Sequence, residues 1–456
     1  MPQPPPHHIA RTAITLFLGI AMPAASQTIN EDLKLTASDA ATADNFGSAI
    51  AIDNGIVAVG MYLDDENGTN SGSAYLFDAS TGKQLFKLLP DDGDADDWFG
   101  YSIAIDNGIV AVGAHKHNDN GIDSGSAYLF NASSGMQIFK LLPSDGAEGD
   151  GFGKSIDIDN GVVAIGSMRD DDNGTNSGSA YLFDAYTGTQ LLKLIPNEDT
   201  AYDNFGWSIS IDNGIVAVGS LGDDANGPDS GSAYLFDASV GTQLFKLLPS
   251  DGTAFDNFGS SIAIDNGIVA VGANRDDDNG GYSGSAYLFD ANTGDQSFKL
   301  SPSDSASDDY FGYSIAIDNG IVAVGSRINS VFENRPGSAY LFDASTGVQI
   351  SKLLHTNGVA GDWFGYSIAI NANAVAVGAT GTNNGNGPGS GSVYLYSPSV
   401  LCSPDLANDG ALNFLDVSAF LSAFGAQDSA ADFQPDGNFN FLDVSAFLAA
   451  FGAGCP

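Results

Sequence analysis

Basic residues are scarce in this sequence. Its 15 lysines and arginines face 56 aspartates and glutamates, a formal charge of −41, which argues against nucleic-acid backbones and anionic lipid as partners and makes cations the natural counterpart. Cysteine is nearly missing, with only Cys402 and Cys455, so no disulfide scaffold organises the bulk of the chain. Long apolar runs are missing too. Beyond the N-terminus no segment approaches the roughly 18 uninterrupted apolar residues of a membrane-crossing helix, so no membrane span is expected. Histidine occurs five times and no serine or cysteine stands beside a convincing base, which leaves little for nucleophilic catalysis. Carboxylates from separate repeats are the one catalytic arrangement left open.

The chain is rich in glycine, 57 residues, and these fall in register. A Phe-Gly pair stands at Phe46, Phe99, Phe152, Phe205, Phe258, Phe311 and Phe364, at intervals of 53 residues. A period of that size with strand-like content signals a propeller or solenoid. Within a repeat, Tyr101 to Ile105 alternates apolar and polar residues, Asp106-Asn107-Gly108 makes a turn, and Ile109 to Val112 is apolar throughout. Asn-Gly between two such runs predicts a tight hairpin. A third strand, Ser126 to Phe130, follows an acidic loop, and a fourth, Gln137 to Leu142, completes a four-stranded antiparallel meander. Inner strands apolar on both faces suit sheets stacked around an axis.

The ends of the array indicate how it closes. Lys34, in Glu31 to Thr36, is in register with Lys87, Lys140, Lys193, Lys246, Lys299 and Lys352. The seventh repeat has no fourth strand after Tyr396, so the N-terminal strand is expected to complete the last blade. The repeated lysines read as edge-strand charges that discourage sheet-to-sheet pairing, with no functional role.

These residues resemble the FG-GAP repeats of integrin α-subunit propellers and of many exported bacterial proteins, through Phe-Gly, Val112-Gly113 and Gly125 to Tyr128. The resemblance implies a seven-bladed propeller with an adhesion or ligand-binding role. Calcium-binding members carry a longer Asp-rich loop between the first two strands. Here that place holds only Asp-Asn-Gly, and no calcium is expected there. The acidic loops after the second strand, Asp64 to Asn70, Asp170 to Asn176 and Asp276 to Gly280, offer oxygen ligands, but their spacing favours a solvated acidic rim. His115, His117 and Asp119 share one loop, which suits either a transition metal lacking further ligands or, preferably, a solvated loop. The aromatics beside Phe-Gly, namely Trp98, Tyr101, Trp207, Tyr310, Tyr313, Trp363 and Tyr366, read first as blade packing and second as a surface that grips a sugar or a protein.

At the N-terminus, His7, His8 and Arg11, the apolar Thr12 to Met22 and Ala24-Ala25-Ser26 read as a secretory signal over residues 1–26. The expected domains are a propeller over 27–397, a linker over 398–401 and a small C-terminal domain over 402–456, with export outside the cell or to its envelope. In an exported chain, Cys402 and Cys455 bracket that last domain as one disulfide, two free thiols being the alternative.

The C-terminal segment has its own repeat. Asn413 to Ala426, NFLDVSAFLSAFGA, returns 27 residues later as Asn440 to Ala453, NFLDVSAFLAAFGA. Val417, Phe420, Leu421 and Phe424 make one helical face, with Gly425 placed to stop the helix. A twelve-residue acidic loop precedes each helix. Its candidate calcium ligands are Asp405, Asp409, Ala411 (by its carbonyl), Asn413 and Asp416, then Asp432, Gln434, Asp436, Asn438 (by its carbonyl), Asn440 and Asp443, with Gly410 and Gly437 at the sharp bends. Ala407 removes one side-chain oxygen from the first loop, which predicts weaker binding there. This segment resembles a dockerin, in the Cys-flanked form ending Gly454-Cys455-Pro456 found on exported planctomycete-type proteins. The resemblance implies two Ca²⁺ sites and a helical face that docks on a cohesin-like or envelope partner. Phe414-Leu415 and Phe441-Leu442, at the loop positions where specificity residues often lie, imply an apolar recognition surface.

Together these readings favour an all-β seven-bladed propeller joined to a small α-helical module, acting as a non-enzymatic exported binding or adhesion protein with a protein or glycan ligand. The alternative is an envelope-tethered carbohydrate-active enzyme.

Overall fold

The computed structural model describes residues 27–198, 200–327, 336–396 and 414–426, together with 431, 444, 445, 447, 448 and 451. The N-terminal segment 1–26 lies outside them.

The array is a seven-bladed propeller of antiparallel sheets. In the first blade, strands β3 (Ile50–Asp53), β4 (Ile56–Met61), β5 (Ser73–Asp78) and β6 (Gln84–Leu88) pair in sequence order. The tight turn between the first two strands follows from its residues. Asn107 and Gly108 both have positive φ, 48° and 79°, the geometry that lets two residues connect twisted strands. Five of the turns also tie to the turn of the preceding blade: the backbone N–H of Asn107 donates to the carboxylate of Asp53 at 3.0 Å, and Asn160, Asn213, Asn266 and Asn319 repeat it.

The ring closes as expected. Strand β2 (Leu33–Leu35) lies antiparallel to Ser392–Tyr396, with Lys34 opposite Tyr394, and supplies the outer strand of the seventh blade. One element is additional. Strand β1 (Gln27–Ile29) runs parallel to Gln349–Leu353 and makes the sixth blade five-stranded.

The core lies between blades, because both faces of every sheet are apolar. Ala58, Leu76 and Leu88 of the first blade pack with Phe99, Val110, Tyr128 and Phe130 of the second. Phe99 sits edge-on to Tyr128 and Phe130, with ring centroids 5.6 and 5.8 Å away. The cluster joining Val393 and Leu395 to Phe46 and Val59 repeats this arrangement across the closure.

The motif residues explain how closely the blades approach. The carbonyl of Gly153, in the third Phe-Gly, accepts a hydrogen bond from Ser102 Oγ of the preceding blade at 2.8 Å. It also rests on Gly113, where a Cβ would lie 2.1 Å from that oxygen. Only glycine fits there. The same contact closes the ring, where a Cβ on Gly378 would lie 2.3 Å from the Gly47 carbonyl oxygen.

The C-terminal unit is described separately. Helix α1 (Phe414–Ala426) continues through Gly425, so that glycine does not end it. Phe420 stacks on Phe447 with ring centroids 4.1 Å apart, within a cluster that includes Val417, Phe424, Val444 and Phe451. Leu421, expected on the packed face, is 59% exposed, because Phe420 and Phe424 take the contact. Among the described residues no helix is long and apolar enough to cross a membrane.

Candidate ligand site at one end of the propeller axis

Six of the seven repeated lysines, all but the exposed Lys34, are paired with carboxylates and do not act as free edge charges. Lys87 Nζ lies 2.7 Å from Asp39, 2.8 Å from Asp64 and 2.9 Å from Glu66. Lys299 repeats this with Asp251, Asp276 and Asp278 at 2.8, 3.0 and 2.5 Å, and Lys193 with Asp145, Asp170 and Asp172. A tyrosine of the third strand joins each cluster: Tyr287 donates to Asp276 at 2.7 Å, and Tyr181 to Asp170 at 2.6 Å. The first aspartate of each of these acidic loops is therefore buried on its own blade's ammonium, and the solvated rim applies only to the residues that follow it. These carboxylates hold the lysines' protons firmly: against burial, which lowers it, they push the ammonium of Lys193 and of Lys299 well above the ordinary lysine value.

The histidine loop is also different from its expectation. His115 and His117 are both buried, not solvated, and they face different neighbours. His117 lies with Asp92 and Asp119, whose ligand atoms stand within 4.8 Å of one another. Asp92 is a partner that the loop sequence does not reveal. Lys140 already pairs with both carboxylates, so the cluster is an ion-pair site of the same kind as the others. His115 packs edge-on to Tyr101, with centroids 4.3 Å apart, and burial holds its imidazole far below the usual value, hence neutral.

The near-identical blades differ at one end of the axis where they converge. The residue after each Phe-Gly points to the axis, and all of these, Ser48, Tyr101, Lys154, Trp207, Ser260, Tyr313 and Tyr366, line one cavity of about 440 Å³. Small-molecule sites span roughly 300–1,000 Å³. Tyr62, Leu221 and Asn274, each just past a second strand, add to the wall together with Asp229, Asn257 and Arg275. Of the aromatics read first as blade packing and second as a gripping surface, Tyr101, Trp207, Tyr313 and Tyr366 thus line a cavity, whereas Trp98, Tyr310 and Trp363 are not among its lining residues.

Lys154 is the centre of this site. It is buried, and its Nζ lies between two ring faces, 4.3 Å from the Tyr101 centroid and 4.2 Å from that of Trp207. It donates to Tyr101 Oη at 2.6 Å. Burial, with Arg169 nearby adding repulsion and the Tyr313 side chain opposing, brings its ammonium down to about 8. The ring faces favour the charged form. Among the described residues no carboxylate stands within 4.0 Å of Lys154, Arg169, Arg275 or Arg327.

Other cations gather at the same end. Apart from the repeated lysines, the basic residues are Arg11, Lys83, Lys116, Lys154, Arg169, Arg275, Arg327 and Arg335. Arg275 lines the cavity. Arg327 lies over the rings of Tyr313, Trp363 and Tyr366 at 4.8 to 5.2 Å and donates to Tyr313 Oη at 2.9 Å. Lys116 covers the face of Trp98, 3.5 Å from its centroid. All three tryptophans of the chain belong to this end.

Further along each inner strand the axis becomes apolar. Rings of isoleucine and alanine, such as Ile50 to Ile52, enclose a channel of about 290 Å³, interrupted by Asp157 and Ser210. The Asp157 carboxylate accepts from Ser210 Oγ at 2.9 Å and from the backbone N–H of Ile158 and Ile211. Burial raises it to about 6 despite those donors.

Of the candidate calcium residues, only Asp416 lies within the described residues. Its side chain is buried in the first turn of α1. Asp405, Asp409, Ala411, Asn413, Asp432, Gln434, Asp436, Asn438, Asn440 and Asp443, and the cysteines Cys402 and Cys455, lie outside them. Phe414 and Leu415 are 79% and 57% exposed.

A closed ring of seven antiparallel blades, six of four strands and one extended by β1, with Phe-Gly at every blade contact, defines a β-propeller of the repeat class. The chain belongs to the FG-GAP repeat family: its model matches seven times, at residues 29–77, 83–130, 136–183, 189–236, 242–289, 295–342 and 348–396. Each matched unit joins the outer strand of one blade to three strands of the next, which is why the N-terminal strand must close the ring. No curated protein matches the chain.

Proposed function

We propose that this is an exported, non-enzymatic binding protein whose propeller takes a ligand at the axial cavity. The observation that carries this reading is the break in repeat symmetry: blades that share nearly every buried residue carry Ser, Tyr, Lys, Trp, Ser, Tyr and Tyr where they meet at one cavity. Packing alone would not require that variation, since serine satisfies the position in two blades. An enzyme cleaving glycosidic bonds needs two carboxylates about 5 to 9 Å apart, and Asp229 is the one carboxylate among the cavity's lining residues.

The C-terminal unit anchors the propeller. Its twin acidic loops hold calcium through the residues named above, and the exposed Phe414 and Leu415 meet a cohesin-like or envelope partner. Support comes from the loop spacing, from the buried Asp416 and from those exposed apolar side chains.

Replacing Lys154, Trp207 and Tyr313 by serine, the residue two blades already use, tests the cavity. Retention of extracellular polysaccharide and protein by the full chain should be lost in the triple variant while its melting stays cooperative; unchanged retention overturns the reading. For the anchor, Asp416→Ala with Asp443→Ala should abolish calcium uptake measured by equilibrium dialysis, and uptake that survives both changes contradicts it.

A further inference from the structure

Resting on the reading of the axial cavity as a ligand site, we infer that its ligand is a short anionic saccharide, with a carboxylate or sulfate group received by Lys154 and Arg275 and a sugar ring laid on Trp207.

The charge argument comes from Lys154. A buried ammonium is costly unless paired, and this one has only two ring faces and a tyrosine hydroxyl as partners among the described residues. Every other buried or half-buried lysine that the repeats place between strands has carboxylates of its own, as Lys87 and Lys299 show. In a chain of formal charge −41, the described cations outside the repeated lysines, Lys83 apart, stand at this end: Lys154 and Arg275 line the cavity, with Lys116, Arg169 and Arg327 beside its neighbours. An anion entering it would supply the missing partner, in surroundings where a charge-assisted contact is stronger than in water.

The saccharide argument comes from the walls. The aromatic rings share the wall with Ser260, Asn257 and Asn274, which one blade supplies together, a combination that offers apolar faces to C–H groups and donors and acceptors to hydroxyls. The rest of the molecule limits the ligand's size. Long polyanions are repelled by the acidic surface, so the chain selects a fragment or a terminus with few charges.

Tryptophan fluorescence provides the test, because all three tryptophans stand at this end. The full chain is titrated with trigalacturonate, with a sulfated galactotriose and with neutral galactotriose. Saturable quenching by either anionic sugar, at least tenfold tighter than by the neutral one and weakened at least tenfold by Lys154→Met or Arg275→Ala, is the expected result; which anionic sugar binds identifies the charged group. Equal binding of the neutral sugar, unaffected by those two changes yet lost with Trp207→Ser, overturns the anionic ligand and leaves the cavity reading standing. Quenching by none of the three sugars overturns the inference as well. Binding of any sugar that survives Trp207→Ser, in a variant whose melting matches the parent, overturns the cavity reading itself. Lys154→Met keeps the aliphatic stem between its two rings, so lost affinity reports the charge and not a collapsed wall.

Discussion

Lys193 and Asp157 show how the same chain treats buried charge in two ways. Lys193 stands among Asp145, Asp170 and Asp172, and Asp170 is buried with it. Lys193→Met strands that carboxylate and should cost about 2–4 kcal/mol in chemical denaturation, somewhat under the roughly 3–5 kcal/mol of a fully buried pair because the lysine keeps some exposure. Asp157 has no cation within 4.0 Å among the described residues. Its pKa is raised to about 6 by burial, from 3.8, so between those values the folded protein holds a proton that the unfolded chain has released, and stability falls as pH rises through that window. Five other blades have alanine at its position. Asp157→Ala with Ser210→Ala restores a uniform ring and should stabilise the propeller at pH 8 by about 1–3 kcal/mol. The gain should shrink as pH falls through 6 towards 4, and denaturation curves at pH 4 and pH 8 give both values. A gain equal at the two pH values would show that the charge is not its source.

Among the elements, β2 and the Phe-Gly contacts carry the architecture. Leu35 is buried between the seventh and first blades, so Leu35→Asp should open the closure, lower the melting temperature and expose the amides of Ser392–Tyr396 to hydrogen exchange. Removing residues 27–30, which takes away only β1, should change the melting temperature far less, since β1 adds a strand to an already complete blade. Glycines separate in the same manner. Gly108→Ala meets open space and bears only the cost of positive φ, about 1 kcal/mol, whereas Gly113→Ala forces a Cβ against the Gly153 carbonyl and should prevent the two blades from docking. The blades, their turns and the closure were legible because each is local or in register: Asp-Asn-Gly marks the hairpin, and Lys34 falls in phase with the later lysines. The parallel pairing of β1 was not legible, because Gln27–Ile29 has no alternation and its partner lies in a distant repeat. The lysine clusters did leave a signal, since an aspartate 48 residues before Lys87 recurs before Lys140, Lys193, Lys299 and Lys352, but its meaning depends on loops folding over the blade.

At the scale of the whole molecule, a repeat fold turns small differences into a site. The residue after Phe-Gly reaches the axial cavity in every blade, and residues 53 apart in the chain become neighbours on its wall. That is why the aromatics were visible in the sequence while the cavity was not, and why Lys154 did not stand out as the unpaired cation. The acidic exterior and the cationic, aromatic mouth also predict a salt response. Affinity for an anionic sugar should weaken several-fold between 50 and 500 mM salt, because screening weakens attraction to the mouth, whereas affinity for a neutral sugar should not change.

The central claim is that ligand binds where the blades meet. Nuclear magnetic resonance of the indole N–H groups of Trp98, Trp207 and Trp363 tests it most directly, during titration of the full chain with trigalacturonate while calorimetry follows the same samples. The account predicts that all three indole signals shift saturably with the affinity that calorimetry measures. Binding heat with all three signals unmoved would place the ligand elsewhere and contradict it.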